Sequence, residues 1–204
     1  MSASPDSYSS LERRLLAPAR NLLRAVFSPL VRVLAALRVS PNAVSFSQVI
    51  LAAILVALMP THPRAAFVLF VAAIALDGVD GALARATNRA TKFGALFDQY
   101  CDHIREVTVI AGLALYGALN PFLAGLYGLT FPGFNLTLYL CNSHRVSLPF
   151  AIKSYLVVYP ALFVYLWFGV NTLDAAVALS IALMGLIVTL GLWRLSRAMD
   201  QSKT

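Results

Sequence analysis

Charged residues are scarce in this chain of 204 residues. Only 12% of the sequence is Asp, Glu, Lys or Arg, about half the share of an ordinary soluble domain. Hydrophobic residues make up 59%, and the mean hydropathy is +0.75. A soluble protein of this length could not bury so much apolar surface. The composition therefore excludes a soluble globular protein and indicates a polytopic membrane protein.

Cysteine is also rare, and Cys101 and Cys141 are the two thiols of the chain. Two isolated thiols near the ends of apolar segments provide neither a disulfide framework nor the spacing of a zinc site. We therefore interpret both as small hydrophobic residues. The N-terminus lacks a compact apolar stretch followed by a small-residue cleavage site, so we do not expect a cleavable signal peptide.

Acidic residues are outnumbered, with 9 Asp and Glu against 16 Lys and Arg and a formal net charge of +7. The basic residues flank apolar runs, which is typical of membrane topology signals, so we expect no nucleic-acid partner. Arg64 is the single basic residue on the side that carries the predicted turns PTHPR, NP and NTLD. The positive-inside rule then predicts a multi-pass protein of the cell membrane, with both termini and the carboxylate-bearing helix ends in the cytoplasm.

The N-terminal part divides into a flexible polar tail, residues 1–8, and a basic amphipathic segment, residues 9–39. Apolar residues recur at helical spacing on one face, and arginines fall on the opposite face. Ser9 and Glu12 form a capping-box pattern, whereas Pro18 and Pro29 predict a break or kink. Such a helix lies in the membrane interface with its apolar side down. A solvated helix packed on the domain is the alternative.

Residues 40–196 contain six apolar runs, each near the roughly 20 residues of a spanning helix. The runs cover about residues 40–59, 65–86, 93–119, 121–141, 150–170 and 175–195. Ser40 and Pro41 provide a cap and a first helical position, and Pro132 predicts a kink. The sequence thus predicts an all-α polytopic membrane protein. Its catalytic domain of six transmembrane helices follows the interfacial amphipathic helix and precedes a cytoplasmic tail, residues 197–204.

Four of the nine acidic residues fall in one stretch, DGVDGALARATNRATKFGALFDQYCD, inside predicted spanning helices. They are Asp77, Asp80, Asp98 and Asp102. A charge at membrane depth costs several kcal/mol unless it is paired or bound to a metal ion. Asp77 and Asp80 share a stripe of one helix, and Asp98 and Asp102 share a stripe of the next. Because the connection is short, the two stripes can face each other.

Carboxylate oxygens in this arrangement suit hard divalent cations, so we predict a site for Mg²⁺ or Mn²⁺ with room for two ions. Gly81, Ala84 and Gly94 leave space for a ligand to lie against the backbone. Arg85 adds a bidentate donor for phosphate oxygens. Cations, an arginine and small residues together indicate binding of a diphosphate. Helix packing alone would explain the glycines but not the aspartates.

The fixed residues of this stretch read D-x2-D-G-x2-A-R-x8-G-x3-D-x3-D, from Asp77 to Asp102. This pattern resembles the signature of the CDP-alcohol phosphotransferases, also called phosphatidyltransferases, at every fixed position. The six-span plan with a leading amphipathic helix is similar to that family as well. The resemblance implies an enzyme of phospholipid synthesis, in which an alcohol hydroxyl displaces CMP from a CDP-linked lipid, usually CDP-diacylglycerol. It also implies a homodimer among membrane lipids.

Residue roles follow from the resemblance. It implies that Asp77, Asp80 and Asp98 are metal ligands, and that Asp102 lies beside the metals and is the general base for the acceptor hydroxyl. The implied CDP-lipid site consists of Asp77, Gly81, Ala84, Arg85 and Gly94. Asn42 lies in the stretch S-P-N-A-V-S, where the family often has T-P-N-x-x-T. It is a candidate contact for the nucleotide, with a helix cap as the alternative.

The acceptor alcohol is less determined by the sequence. Arg105, Arg145 and Lys153 near the same face would suit a phosphorylated polyol such as glycerol phosphate or inositol phosphate. Topology and headgroup anchoring is the alternative for Arg145 and Lys153. The family's glycerophosphate enzymes often continue with D-K-L where this chain has Asp102-His103-Ile104. Free polyols, serine and other headgroups therefore stay open.

Two other classes of protein also place carboxylates in a membrane. A divalent-cation transporter is one, but Arg85 would put a positive charge beside its cation path. A prenyltransferase that binds a metal diphosphate is the other. The A-R-x8-G linkage between the two carboxylate pairs favours CDP chemistry over this second alternative.

Overall fold

The computed structural model describes residues 17–144, 146, 148 and 154–201. Seven helices make up this part of the chain: α1 Ala17–Ala36, α2 Pro41–Leu58, α3 Pro63–Ala86, α4 Lys92–Leu115, α5 Pro121–Ser143, α6 Ser154–Phe168 and α7 Leu173–Gln201. The all-α prediction is confirmed. The polar tail, the Ser9–Glu12 capping pair and the acceptor candidates Arg145 and Lys153 lie outside the described residues.

Three of the described helices, α2, α3 and α7, are long and apolar enough to cross a membrane. Helix α4 has 24 residues, but it carries Asp98, Asp102, Arg105 and Glu106. Helix α6 is described from Ser154 onward and has 15 residues, fewer than the roughly 20 that span a bilayer. Membrane-length apolar helices are thus confirmed for three segments, and six spans stay a prediction.

Helix α1 is continuous through Pro29, so the predicted break at that residue is wrong. A proline inside a helix deprives one carbonyl in the preceding turn of its donor, and the helix persists here without that hydrogen bond. Val31 is buried with Val44 of α2 and Val79 of α3, whereas Val33 is 55% exposed. The helix therefore packs on the domain with one side and presents apolar residues on another, as an interfacial helix does.

Helix α2 packs against both α3 and α4, and α7 packs against both α5 and α6. Contacts of α4 with α5 and of α3 with α6 join these two groups into one structure. The main apolar core extends through both groups, and its largest fully buried side chains include Phe70, Tyr127, Phe134 and Met184. Direct contact between α3 and α4 is small, so α2 is the main packing partner of the two helices that carry the aspartates.

Ser40 caps α2 as the sequence predicts, since its side chain accepts a hydrogen bond from the Ala43 N–H at 3.1 Å. Pro41 occupies the first turn, where no intrahelical donor is needed. Helix α5 also continues through Pro132. The two cysteines are buried and free, which agrees with their interpretation as small hydrophobic residues.

Gly112 of α4 allows a close approach of α2. A Cβ atom at Gly112 would lie 2.6 Å from Val56 Cγ2, a distance at which the Val56 side chain or the helices must shift. We expect Gly112→Ala to destabilise the protein by about 1–3 kcal/mol, seen as a lower midpoint of thermal unfolding in detergent. Gly125→Ala is the matched control, because a Cβ there meets nothing within 4 Å. An unchanged midpoint for Gly112→Ala would contradict this account of the α2–α4 contact.

Candidate active site

A tight connection between α3 and α4 sets the register of the carboxylate-bearing helices. Asn88 adopts a left-handed conformation with φ 53°, which asparagine tolerates better than most residues. The next N–H, of Arg89, reaches back to the Ala84 carbonyl at 2.8 Å and closes the end of α3. Thr91 then caps α4 by accepting a hydrogen bond from the Gly94 N–H at 2.9 Å. Both helix ends of the motif are thereby fixed by its own polar residues.

Three of the predicted metal ligands meet between the two helices. Asp77 of α3 and Asp98 and Asp102 of α4 each bring one carboxylate oxygen within 4.8 Å of the others, and all three are half-buried. Oxygens on opposite sides of one cation, with bonds of about 2.0–2.6 Å, are about 4–5 Å apart. The convergence predicted from helical spacing is therefore confirmed for these three residues, and the spacing of their oxygens suits a bound cation.

Asp80 lies deeper, against α2. It is 2% exposed, and its Oδ2 accepts a hydrogen bond from Ser45 Oγ at 2.6 Å and a long one from Gln48 Nε2 at 3.5 Å. Its carboxylate also approaches that of Asp98. Asp80 is thus adjacent to the three-carboxylate cluster but outside it, because α2 supplies donors that hold one of its oxygens.

One carboxylate oxygen of Asp98 lacks a partner within the described part of the protein. Its Oδ1 is buried and has no hydrogen-bond partner in the part of the chain that the structure describes. Buried carboxylate oxygens without a donor or a counter-ion are strongly unfavourable. A hard divalent cation among Asp77, Asp98 and Asp102 would satisfy this oxygen, so the residues present fit the predicted metal site.

Arg105 lies within the carboxylate site, one helical turn beyond Asp102. Its Nη1 donates to Asp102 Oδ1 at 2.8 Å and also to Gln48 Oε1. The side chain is almost fully buried, and its Nε has no partner among the described residues. The sequence assigned Arg105 to acceptor binding, and the structure places its guanidinium against the carboxylate predicted to be the base.

Two glycines of the motif each lie close to a residue predicted to bind the CDP-lipid. The Arg85 guanidinium lies over Gly81, where an added Cβ would be 3.4 Å from Arg85 Nη1. An added Cβ on Gly94 would be 3.4 Å from Asn42 Oδ1. The structure thus brings Arg85 to Gly81 and Asn42 to Gly94. Ala84 is half-buried on the stripe of α3 that carries Asp77.

A second polar layer lies behind the aspartates and was missed by the sequence analysis as a connected unit. Glu106 is 2% exposed and accepts hydrogen bonds from Tyr127 Oη at 2.7 Å and Tyr159 Oη at 2.8 Å. This carboxylate joins α4 to α5 and α6. Gln48, fully buried in α2, was missed as well. A single amide inside an apolar run is the sequence feature that could have pointed to Gln48. No spacing in the sequence connects Glu106 with the two tyrosines.

Two other polar residues considered near this face differ in their surroundings. His103 packs edge-on against Phe131, with ring centroids 5.4 Å apart. His144 is exposed at the end of α5. Arg145 and Lys153, which the sequence assigned to acceptor binding together with Arg105, are among the positions outside the described ranges.

Several known proteins resemble this chain. A family model described as CDP-alcohol phosphatidyltransferase matches residues 38–193. The human CDP-diacylglycerol–inositol 3-phosphatidyltransferase is 33% identical over 75 residues, 37% of this chain and 35% of the relative. The archaetidylinositol phosphate synthase of Pyrococcus horikoshii is 33% identical over 105 residues, 47% of this chain and 53% of the relative. The chain thus matches about a third to a half of the length of these curated relatives.

A solved structure shows the same fold. The crystal structure of Mycobacterium tuberculosis phosphatidylinositol phosphate synthase with CDP-DAG bound superposes with a TM-score of 0.70. The match covers 84% of this chain and 94% of the other, at 19% sequence identity. The likeness therefore extends over nearly the whole helical domain, well beyond the carboxylate motif.

Proposed function

The chain belongs to the CDP-alcohol phosphatidyltransferase family, and on this premise we propose that it transfers a phosphatidyl group from CDP-diacylglycerol to an alcohol and releases CMP. The observation that carries the proposal is the cluster of Asp77, Asp98 and Asp102. It is built by the residues of the family signature, on two helices joined by a capped connection. Family membership favours a transferase over the transporter and the prenyltransferase considered from the sequence.

The cation site would be held by Asp77, Asp98 and Asp102, with Asp80 supporting it from the α2 side. Mg²⁺ or Mn²⁺, as one ion or two, would neutralise the diphosphate and stabilise CMP as a leaving group. Arg85, held over Gly81, is placed to grip phosphate oxygens with its planar fork. Asn42 and Gly94, which lie together, would border the nucleotide, with Ala84 leaving room beside them.

The transfer itself makes one bond and breaks one. The acceptor oxygen forms a bond to the phosphorus that carries the diacylglycerol, and the P–O bond to the CMP phosphate breaks. CMP leaves with the electron pair of that bond. Asp102 takes the proton of the acceptor hydroxyl, a role that suits a carboxylate oriented by the Arg105 contact at 2.8 Å.

The acceptor proposed is inositol or an inositol phosphate. The support comes from the printed activities of the relatives, since the human enzyme is named for inositol and the mycobacterial and archaeal enzymes for phosphatidylinositol phosphate and archaetidylinositol phosphate. A phosphorylated acceptor would need a cation besides Arg105, whose Nη1 already contacts Asp102 and Gln48. Arg145 and Lys153 are the proposed candidates for that contact.

The membrane arrangement is part of the same proposal. We place six spans, α2 to α7, across the bilayer, with α1 in the interface and the aspartates at the cytoplasmic side. This orientation rests on the distribution of Lys and Arg along the sequence. We also propose that the chain forms a homodimer, as the family resemblance implies.

The test is an assay of the purified full chain in detergent with CDP-diacylglycerol and Mg²⁺ or Mn²⁺. Candidate acceptors are inositol, inositol phosphate, glycerol phosphate and serine, each added alone. We expect CMP release that requires the divalent cation and one acceptor of the inositol class. Metal-dependent CMP release with glycerol phosphate or serine alone would overturn the acceptor. Failure to release CMP with all four acceptors would overturn the proposed function.

A further inference from the structure

Gln48 has a contact pattern that only an amide can provide. Its Oε1 accepts a hydrogen bond from the Arg105 guanidinium, and its Nε2 faces Asp80 Oδ2 at 3.5 Å. A cation on one side requires an acceptor, and a carboxylate on the other requires a donor. Glutamate would lack the donor, lysine would lack the acceptor and leucine would lack both. The side chain is fully buried, so neither contact is exposed to solvent.

The same Arg105 nitrogen that contacts Gln48 also contacts Asp102. Nη1 lies 2.8 Å from Asp102 Oδ1, while Nε is buried without a partner among the described residues. A guanidinium attracted to three or four carboxylates competes with a metal ion for their oxygens. Its contact with Gln48 holds the guanidinium on the α2 side, where it meets Asp102 through one oxygen.

We propose that Gln48 is a positioning residue that acts through Arg105 on Asp102. It restrains the Arg105 guanidinium so that Asp102 keeps an oxygen for the cation and for the acceptor proton. The inference rests on the proposed function for its link to catalysis. Its effect on cation binding is measurable without any lipid substrate. Helix α2 lies outside the D-x2-D-G signature, and through Gln48 it also helps to position the site residues.

Removal of the amide is expected to release Arg105 into the carboxylate cluster. In Gln48→Met, a side chain of similar length offers no acceptor, and the guanidinium turns to the aspartates. We expect the affinity for Mn²⁺ alone, measured by electron paramagnetic resonance on the purified full chain, to fall about tenfold, as is usual when support of a metal ligand is lost. Ser47→Ala is the control, because Ser47 Oγ donates to the Val44 carbonyl of its own helix at 2.6 Å and to no other residue in the described part of the chain.

A double-mutant cycle separates positioning from a general structural effect. In an Arg105→Met background there is no guanidinium to restrain, so adding Gln48→Met is expected to change Mn²⁺ affinity by less than about twofold. An equal loss of affinity in both backgrounds, or no loss in either, would overturn the proposal. If the Met variant does not fold, Gln48→Asn takes its place. Its amide is carried on a shorter side chain, and its Mn²⁺ affinity is compared in the same two backgrounds, with and without Arg105.

The outcomes also separate this inference from the proposed function. If the wild-type chain binds Mn²⁺ and releases CMP while Gln48→Met binds Mn²⁺ equally well, the positioning role is wrong and the transferase stands. If the wild type binds Mn²⁺ and shows the Arg105-dependent loss but releases no CMP, the positioning of Arg105 stands and the transferase is wrong.

Discussion

Replacing Asp102 with Asn is expected to slow CMP release by about 10²–10⁴-fold, the usual contribution of a positioned general base. The amide keeps an oxygen that can accept the Arg105 hydrogen bond, now 2.8 Å long, or coordinate a cation. It cannot take the proton of the acceptor hydroxyl. The loss should therefore appear in kcat, with binding of CDP-diacylglycerol retained, when both are measured on the purified protein.

Asp174→Asn is the matched control for this substitution. Asp174 lies at the start of α7, far along the chain from the motif, and accepts a hydrogen bond from the Asn120 N–H at 2.8 Å. We expect its kcat to stay near that of the wild type. Near-normal turnover of Asp102→Asn would remove Asp102 as the base. A loss of lipid binding equal to the loss of rate would assign it to substrate binding instead.

Arg105 shows what helical spacing can and cannot predict. Three residues separate it from Asp102, so the sequence predicts that the two side chains lie near each other on α4, and the structure places them in contact. Spacing cannot tell whether the guanidinium turns toward the acceptor or toward a carboxylate. That choice depends on Gln48, which belongs to a different helix whose register against α4 is set by tertiary packing.

Asp80 shows a second limit of prediction from helical spacing. The i, i+3 relation to Asp77 predicts one stripe on α3, and both residues do lie near the cluster. A separation of three residues still turns the side chain by about 60° from its neighbour, given 3.6 residues per turn. That difference is enough for Asp80 to meet Ser45 of α2 at 2.6 Å, whereas Asp77 contributes an oxygen to the three-carboxylate cluster.

Helix existence was more predictable than membrane crossing. Long apolar runs bounded by Ser-Pro, Asn-Pro and short polar links predict helices over nearly the observed ranges. Crossing a bilayer depends on where charge is buried, and α4 buries its charges against other helices. Arg105 and Glu106 of α4 are both nearly inaccessible and form hydrogen bonds with residues of α2, α5 and α6. Composition alone cannot reveal such partners, because they come together only in the fold.

Replacing Asp98 with Asn should have opposite effects on function and on the stability of the metal-free protein. Asp98 Oδ1 is a buried oxygen without a donor in the described part of the structure, beside the carboxylates of Asp77 and Asp102. Removing its charge relieves repulsion and desolvation. Without divalent cations, we expect the variant to be more stable than the wild type by about 1–3 kcal/mol, the penalty for a buried unpaired polar group, seen as a higher midpoint of thermal unfolding.

Addition of Mn²⁺ should reverse the order. A ligand that binds only the folded state stabilises it in proportion to the logarithm of its concentration over Kd, so the wild-type midpoint rises with Mn²⁺ and that of Asp98→Asn, whose amide is a weaker ligand than a carboxylate, rises much less. CMP release by the variant should be abolished. Asp80→Asn is the informative comparison, since Asp80 already accepts a 2.6 Å hydrogen bond from Ser45 and should lose stability when neutralised. If Asp98→Asn also lowers the metal-free midpoint, the carboxylates are already satisfied by the protein, and the argument that they require a cation fails.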